Sequence, residues 1–499
     1  MVLYNNVSKF RVLRTKLDTE KAMQNYKALI LLFIFSLSTV SCFEDNDDIG
    51  VTANEINDFV WKGMNLFYLY KDDVPDLAND RFSSDSEYAS YLNRFTSPFD
   101  LFESLIYQPE TVDRFSWMVS DYLALEQLFQ GNTNTSGMEL SLYSAPNSST
   151  EGFGVIRLVL PNSPADNKGL KRGDIFYAID GVILTENNFR SLTNQDTYTL
   201  NLGFYNDKGT LETTDDSIDP TNENITVSKA QYSENPVFKT EIINVGGENV
   251  GYLMYNGFTA GSENELNAIF GDFKSNNIQH LVLDLRYNPG GRVNVETFLA
   301  SMITGQYTGE LFQKLIYNST LQSNNTDYNF TNKLDNGTSI NSLGLDKLYV
   351  LTTGQSASAS EGLINGLSPY IEIIQIGTNT TGKTQASRTI YDSPNFERSG
   401  ANPNHTYAMQ PLIANGVNKN DITVPGSGLT PSIGFEYEER PLNFGVLGDV
   451  DEPMLALALA DIENSTSRAS EIKSKSTKTF KLLMDSNDFN PLEGGMIID

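Results

Sequence analysis

Cysteine and histidine are scarce in this sequence, which contains one cysteine and two histidines in 499 residues. The single cysteine, Cys42, cannot form an internal disulfide or complete a zinc site built from several thiolates and imidazoles. We interpret it below as a lipid-anchor residue, which also removes it as a candidate nucleophile. Chemistry that depends on a catalytic thiol, a disulfide or a Cys/His zinc site is therefore excluded.

The two histidines are poor candidates for a Ser-His-Asp site. His280 directly precedes the run 281–285, which is apolar except for Asp284 and predicts a buried strand. His405 lies in the polar stretch 402–405, which predicts a loop. We expect a structural His280 and an exposed His405. If the chain performs covalent chemistry, a serine activated by a lysine is the pairing that remains.

Basic residues are fewer than acidic residues. The sequence has 35 Lys and Arg residues and 63 Asp and Glu residues, so the formal net charge is −28. Such a field repels nucleic acid and anionic membrane surfaces. We therefore expect no nucleic-acid partner and interpret the acidity as a contribution to solubility. The length of the chain suggests about three domains.

The N-terminal segment has the pattern of an export signal. Lysines flank the start of the apolar run 28–37, which is short for a membrane span, and small residues lead to Cys42. With the cysteine at the cleavage point, the segment resembles a bacterial lipoprotein signal, although Thr39 stands where leucine is usual. A plain cleaved signal is the alternative, and the start at Met1 or Met23 stays open.

These features predict residues 1–42 as an export signal with a lipidated Cys42 and residues 43–54 as an acidic tether. The expected location is the bacterial cell envelope, with the anchor on the periplasmic or the outer-membrane face. Residues 55–130 repeat apolar side chains every three or four positions, which predicts a small helical domain without visible chemistry. An Asn/Ser/Thr/Gly-rich connection follows at 131–150.

Residues 138–232 resemble a PDZ domain. The resemblance rests on Ser-Pro-Ala at 163–165, Gly-Leu-x-x-Gly-Asp at 169–174 and Ile-Asp-Gly at 179–181. Glycines at these turns are expected because the turns need positive φ. This region is predicted to be rich in β-structure.

A PDZ domain binds a peptide C-terminus through backbone N–H groups of a glycine-containing loop. The resemblance assigns that loop to Gly152-Phe153-Gly154, with Phe153 and Ile156 lining an apolar pocket for the terminal side chain. These four residues are the predicted peptide-binding site.

Beyond residue 240 the pattern changes to alternating strands and helices, with strand runs that are apolar on both faces, as in a parallel sheet covered on both sides. Strands are expected at 250–255, 281–285, 347–353 and 371–377, and helices after Ser262, at 293–304 and at 360–368. The predicted fold class is thus multidomain α+β: a helical N-terminal domain, the PDZ-like β-rich domain, and an α/β core at 240–465 with a largely parallel sheet. Residues 466–499 form a C-terminal extension.

The most informative stretch is Ser-Ala-Ser-Ala-Ser-Glu at 356–361, which is followed by Gly382-Lys383. One helix and one strand separate Ser358 from Lys383, so a chain that doubles back can bring them face to face. A lysine becomes a base when burial lowers its pKa. The alternatives are a capping box for Ser358 with Glu361 and a surface position for Lys383.

Together with Asp-Leu-Arg-Tyr-Asn-Pro-Gly-Gly at 284–291 and the PDZ-like module, this pattern resembles the C-terminal-processing (tail-specific) serine peptidases of the S41 type. The resemblance covers roughly residues 50–465. It implies that Ser358 is the nucleophile and Lys383 the general base. The family often has Gln or Glu four residues after the lysine, where this chain has Ser387; Gln385 is the preferred orienting residue, and Ser387 is the alternative.

The oxyanion site is predicted from physical placement. Ala359 follows the serine at a helix N-terminus, and Gly290 and Gly291 follow the carboxyl end of a strand, where α/β sheets place their sites.

The predicted function is a serine endopeptidase that recognises protein or peptide C-termini and works through an acyl-enzyme. The alternative is a catalytically silent peptide-binding envelope lipoprotein of the same fold. Neither interpretation implies a metal or another cofactor. The expected partners are substrates with exposed C-termini and a membrane reached through the lipid anchor; the sequence does not indicate the oligomeric state.

Overall fold

The structure is a computed structural model that describes residues 53–210, 212–474, 478–489 and 496–498. The predicted export signal, Cys42 and most of the acidic tether lie outside these residues. No helix in the described ranges is long and apolar enough to cross a membrane.

The first region is helical, with a short strand between its third and fourth helices. Its elements are α1 (Ala53–Phe67), α2 (Asp85–Leu92), α3 (Pro98–Ser104), β1 (Trp117–Val119) and α4 (Tyr122–Phe129).

A β-rich region follows and begins inside the stretch that the sequence suggested to be a connection. Its elements are β2 (Asn132–Thr135), β3 (Met138–Ser144), β4 (Gly152–Val159), β5 (Ile175–Ile179), β6 (Val182–Ile183), α5 (Phe189–Thr193), β7 (Thr197–Asn206), β8 (Ser217–Ser228) and β9 (Ala230–Ser233).

The α/β region comes next and ends with two helices. The region contains β10 (Val237–Val245), β11 (Glu248–Tyr255), α6 (Glu263–Ser275), β12 (His280–Asp284), β13 (Gly291–Arg292), α7 (Val293–Ile303), β14 (Leu311–Tyr317), β15 (Thr326–Asn329), β16 (Lys347–Thr352), α8 (Ala359–Leu367), β17 (Glu372–Gly377), β18 (Gln385–Ser387), β19 (Ile390–Tyr391), β20 (Ala408–Gln410), β21 (Leu412–Asn418), α9 (Pro453–Ile462) and α10 (Thr466–Ser474). Near the C-terminus lie β22 (Leu482–Asp485) and β23 (Met496–Ile497).

The central sheet has the order β10-β11-β12-β16-β17. Only the β10–β11 pairing is antiparallel; the other three are parallel. Its strands are apolar on both faces: Leu281 and Leu283 pack on the side of α6, α7 and α8, whereas Val282 packs on the side of α9. Two buried cores therefore fix this sheet, and the carboxyl ends of β12, β16 and β17 meet at one edge.

The β-rich region forms an antiparallel sheet with the order β22-β3-β4-β5-β7-β8, with β6 paired to β5. A second mixed sheet, β13-β23-β18-β21-β14-β15, lies beside the α/β core. In both sheets a strand from the end of the chain is included. A small sheet of β1, β20 and β19 connects the helical region to the core.

Candidate active site

Three loops meet at the carboxyl edge of the central sheet. They follow β12, β16 and β17 and span residues 285–290, 353–358 and 378–384. Direct backbone hydrogen bonds join them: Ala357 N–H donates to the Asn288 carbonyl at 3.1 Å, and Thr381 N–H donates to the Ser356 carbonyl at 3.0 Å. The predicted serine and glycine loops are thus in contact.

The three serines of the Ser-Ala-Ser-Ala-Ser run differ in their hydrogen bonds. The Ser356 hydroxyl donates to the Leu285 carbonyl at 2.7 Å, and the Ser360 hydroxyl donates to the Asn288 carbonyl at 3.0 Å. The Ser358 Oγ is buried and takes part in the capping box with Glu361 that the sequence offered as the alternative, but it donates no hydrogen bond within the described residues. Because a buried hydroxyl proton without an acceptor is costly, this atom is the candidate for a reacting group.

The backbone of Ser358 is itself unusual, with φ of +62° and ψ of −112° at the residue before α8. A serine in this region of the Ramachandran plot is strained. Strain at a strand-to-helix turn is typical of a residue whose side chain is held at a site.

Glu361 joins the serine loop to the lysine loop. Its Oε2 accepts the N–H groups of Ser358 at 2.9 Å and Lys383 at 2.8 Å. Its Oε1 accepts the N–H of Gly382 at 2.7 Å and the hydroxyl of Thr380. Burial raises the pKa of Glu361, whereas these four hydrogen bonds act in the opposite direction. The sequence showed Glu361 only as a possible helix cap, so this wider role was missed.

Lys383 is a buried lysine. Desolvation lowers its pKa to about 8, against the attraction of Asp113 and Glu361, which raises it. Its ammonium lies 4.9 Å from the centroid of the Phe115 ring. The predicted alternative of an exposed surface lysine is wrong, because only 3% of this residue is exposed. A lysine of this pKa can accept a proton near neutral pH.

The helical region contributes to the surroundings of the lysine, contrary to the expectation that it carries no chemistry. Asp113 is buried and is held by the Tyr68 hydroxyl at 2.7 Å. The Arg114 Nη2 donates to the carbonyls of Thr381 at 3.2 Å and Gly382 at 3.1 Å. No local pattern in the sequence predicts this contact, because the two segments are far apart along the chain.

Gly290 lies against the serine. A Cβ at Gly290 would lie 2.7 Å from the Ser358 Cβ, and the residue has φ of +113°, so only glycine fits. Its N–H, however, donates to the Asn288 Oδ1 at 2.8 Å. The Gly290 N–H is therefore engaged within its own loop, and its role as an oxyanion donor stays a prediction; the structure shows a close approach of this glycine to the serine.

The other two predicted oxyanion residues lie on the same edge. Gly291 belongs to β13 and is paired with Met496 of β23. Ala359 is the first residue of α8, so its N–H has no acceptor within the helix and lies at the positive end of the helix dipole. Both residues stay predicted oxyanion donors.

Gln385 makes no hydrogen bond to the lysine in this structure. Its Oε1, the only atom of that side chain that can accept from an ammonium group, is buried without a hydrogen bond. The alternative, Ser387, has its hydroxyl 3.5 Å from the Met496 carbonyl. Asp113, Glu361 and Phe115 surround Lys383 instead.

The aspartate and arginine at the start of the glycine motif are structural. Arg286 is fully buried; its guanidinium binds Asp284 at 2.8 Å and Glu452 at 2.8 Å, and it also reaches Glu439. Arg172 of the β-rich region binds the same Glu439, whose pKa is about 2 although burial opposes the shift, because the arginines stabilise its charge. This network ties the β-rich region to the loop that precedes Gly290.

The predicted peptide-binding residues do not present free donors. Gly152 N–H donates to the Leu184 carbonyl at 2.8 Å, and Ile156 N–H donates to the Asp174 carbonyl at 2.9 Å. Phe153 is fully buried, and the position of a Cβ at Gly154 is filled by the Phe176 ring. Because β4 is an interior strand paired on both sides, these residues do not offer free N–H groups to a carboxylate in this structure, and their role in peptide binding stays a prediction.

Neither histidine lies in the catalytic loops. His280 pairs with Glu248 at 2.8 Å, and His405 pairs with Asp392 at 2.9 Å while its Nδ1 accepts the Tyr407 N–H. His405 is half-buried rather than exposed, which corrects that expectation. Across the described residues, no cluster of His, Cys, Asp and Glu has the arrangement of a metal site.

Two family models match the chain. The model described as peptidase family S41 matches residues 249–395, and the peptidase S41 N-terminal domain matches residues 55–117. The first range contains Ser358 and Lys383, and the second contains Asp113. The serine and lysine loops and the helical region that contacts them therefore all lie in matched segments.

Two curated relatives are both carboxyl-terminal-processing proteases. The protein from Picosynechococcus sp. is 26% identical over 262 residues, which is 52% of this chain and 57% of the relative. The protein from Synechocystis sp. is 28% identical over 232 residues, 45% of this chain and 48% of the relative. The matches span about half the length of these relatives.

The solved structures include a chain from Bacteroides fragilis assigned to the S41 proteases. It aligns with a TM-score of 0.66 and 25% identity, covering 82% of this chain and 98% of that chain. The mixed helix and sheet fold is thus shared well beyond the segment matched by the family model. Two segments of the chain thus match models of peptidase family S41, and the fold is similar to that of this solved S41 protease structure.

Proposed function

We propose that this chain is a serine endopeptidase in which Ser358 attacks a peptide carbonyl and Lys383 accepts the serine proton. One observation carries the proposal: the Glu361 carboxylate accepts hydrogen bonds from both backbones, the Ser358 hydroxyl donates none within the described residues, and burial lowers the Lys383 pKa to about 8. A serine hydroxyl without an acceptor and a base of this pKa, on two loops joined by one carboxylate, are the components that covalent catalysis requires.

The proposed reaction has two halves. Neutral Lys383 takes the proton as Oγ bonds to the carbonyl carbon, and the carbonyl oxygen becomes an oxyanion near the Ala359 N–H. The lysine then returns the proton to the leaving amine, and an acyl-enzyme remains. In the second half, water gives a proton to Lys383 and attacks the ester, which releases the new carboxyl terminus and restores Ser358.

The proposed substrates are proteins or peptides with exposed C-termini. Both curated relatives are carboxyl-terminal-processing proteases, which supports a substrate chain that enters by its end. We assign recognition to the β-rich region at 138–232, which we propose to be PDZ-like. An extended peptide would bind there by adding a strand to the sheet. The proposed receiving strand is β3: β4 is paired on both sides by strands of the region itself, whereas the outer side of β3 is paired only with β22 from near the C-terminus.

The location is also a proposal. The pattern around Cys42 supports export and a lipid anchor in a bacterial cell envelope. This would place the enzyme at a membrane surface through its acyl chains.

The test is hydrolysis of a denatured, fluorescently labelled protein. We expect the wild type to release labelled fragments and Ser358→Ala to lose at least about 10⁴-fold in kcat/KM, as removal of a covalent nucleophile does. Ser323→Ala, an exposed serine on the surface, is the matched control and should keep full activity. Folded wild type without hydrolysis would favour the silent peptide-binding alternative.

A further inference from the structure

The strand that an external peptide would pair with is already covered. Strand β22, near the end of the same chain, is antiparallel to β3 and pairs Met484 with Leu142 and Asp485 with Ser141. Just before it, the Lys481 carbonyl accepts the Ser144 N–H at 2.9 Å. Without β22, β3 would be the edge of its sheet, and an edge strand is the surface on which extended peptides add.

The C-terminal segment, residues 478–489, also fills apolar positions of the β-rich region. The Phe480 ring centroid lies 5.2 Å from that of Tyr205 and 6.2 Å from that of Phe153. Leu483 and Met484 pack against the core of the region. Leu482, in contrast, is 51% exposed. The segment therefore packs on the β-rich region with some side chains inserted and others directed outward.

A buried carboxylate, that of Asp485, binds β22 to the β-rich region. The Asp485 carboxylate is 5% exposed, accepts the Ser141 hydroxyl at 3.0 Å and pairs with Arg157. Arg157 is also paired with Glu139 at 2.6 Å. A buried arginine that holds a carboxylate beside an edge strand is a specific receptor for an acidic group on a peptide.

The segment continues from the β-rich sheet to the catalytic loops. The Ser486 hydroxyl accepts the Leu140 N–H at 2.9 Å, and the Asn487 Nδ2 donates to the Gln355 Oε1 at 2.9 Å, three residues before Ser358. A cavity of about 1000 Å³ opens between β3 and the glycine loop; its lining includes Leu140, Gly290, Gly291, Ser486, Asn487 and Ile497.

The last described residues enter the catalytic sheet. Strand β23 is paired in parallel with β13, which carries Gly291, and with β18, which follows Lys383 by two residues. The Ile498 N–H donates to the Ser387 carbonyl at 3.1 Å. Residues 482–485 thus pair with β3, the proposed recognition strand, and residues 496–497 pair with strands beside the catalytic loops. A bound substrate would need both of these surfaces.

We infer that the C-terminal segment is an intramolecular peptide that occupies the β3 edge and competes with external peptides for it. Tethering gives such a segment an effective concentration of about millimolar, so a free peptide of similar affinity cannot displace it at micromolar concentration. The inference rests on the proposed function for the identity of the peptide site. Binding, however, tests it without any hydrolysis.

The experiment uses full-length Ser358→Ala protein with a specific protease site inserted between Ser474 and Lys478. The protein is folded first and then cut, so that loss of the segment cannot be confused with failure to fold. The probe is a fluorescein-labelled peptide of residues 478–489, and its binding at nanomolar protein is read by fluorescence anisotropy. We expect the apparent Kd to fall at least tenfold on cutting.

Point variants provide the matched comparison in the uncut protein. Phe480→Ala and Asp485→Ala weaken the seated strand and should increase probe binding, whereas Leu482→Ala changes an exposed side chain of the same strand and should not. An apparent Kd that is equal within twofold before and after complete cutting would overturn the inference.

The two proposals fail separately. If cutting increases probe binding but protein with an intact Ser358 hydrolyses nothing in either form, the proposed function is wrong and the competing segment stands. If hydrolysis is present and equally fast in both forms, with unchanged probe binding, the peptidase stands and the competing segment is wrong.

Discussion

Ser358 and Lys383 are held by the same atom, because the Glu361 Oε2 accepts the backbone N–H of the serine at 2.9 Å and that of the lysine at 2.8 Å. The carboxylate therefore joins the two loops through their backbones. Within the described residues, the Ser358 hydroxyl donates no hydrogen bond that would compete with proton transfer.

The first prediction concerns the pH dependence of hydrolysis. Because Lys383 must be neutral to act as a base and its pKa is about 8, kcat/KM should rise with pH and level off above a midpoint near 8. Initial rates from pH 6 to 10 measure this. Lys383→Arg should be inactive throughout, since an arginine stays protonated. An active Arg variant would show that the side chain acts only through its charge.

The second prediction concerns Asp113. Its negative charge raises the pKa of Lys383, so Asp113→Asn should move the midpoint of the pH profile below that of the wild type. The amide keeps an oxygen for the Phe115 and Ser116 N–H groups. Asp100→Asn, an exposed carboxylate of α3, is the control and should leave the midpoint in place. An unchanged midpoint in Asp113→Asn would show that the charge of Asp113 does not influence the pKa of Lys383.

The third prediction concerns stability. In the unfolded chain Lys383 keeps its proton up to about pH 10.5, whereas in the folded chain it loses it near pH 8. Between these values the unfolded state binds more protons, so the free energy of unfolding rises with pH by on the order of 3 kcal/mol. This rise should appear in the difference between wild type and Lys383→Met in urea unfolding at pH 7.5 and pH 10. A difference that is flat with pH would mean that the lysine is not desolvated.

The fourth prediction concerns the anchor. Cys42→Ser should move the protein from the membrane fraction to the soluble fraction of expressing bacteria, since the acyl chains have no other attachment point. Intact-mass analysis of the wild type should show an acylated N-terminal cysteine after removal of residues 1–41. A mature mass without acyl chains would refute the lipoprotein interpretation.

The elements of the α/β core could be predicted closely from the sequence. A helix expected at 293–304 spans Val293–Ile303, and one expected at 360–368 spans Ala359–Leu367. Apolar periodicity and strands buried on both faces give strong signals, and the carboxyl ends of parallel strands must meet at one edge. These features are sufficient to bring Ser358, Lys383 and the glycine loop to the same edge of the sheet.

Other parts of the site could not be predicted, because they depend on contacts between distant segments. Asp113 reaches Lys383 through the tertiary fold. Strands β22 and β23 are short and have no periodicity that reveals their partners. The sequence could not show that Gly152–Gly154 lie in a strand, because a glycine-containing loop and a glycine-containing interior strand look alike until the pairing of β4 with β3 and β5 is known.

Covalent labelling tests the Ser358–Lys383 pair most directly. The protein, with its C-terminal segment cut as described, is treated at pH 9 with a serine-reactive fluorophosphonate and analysed by intact-mass and peptide mass spectrometry. We predict one adduct, on Ser358, that is absent from Ser358→Ala and forms far more slowly in Lys383→Met. An adduct of equal yield in Ser358→Ala, or peptide hydrolysis by a wild type that forms no adduct, would contradict the account.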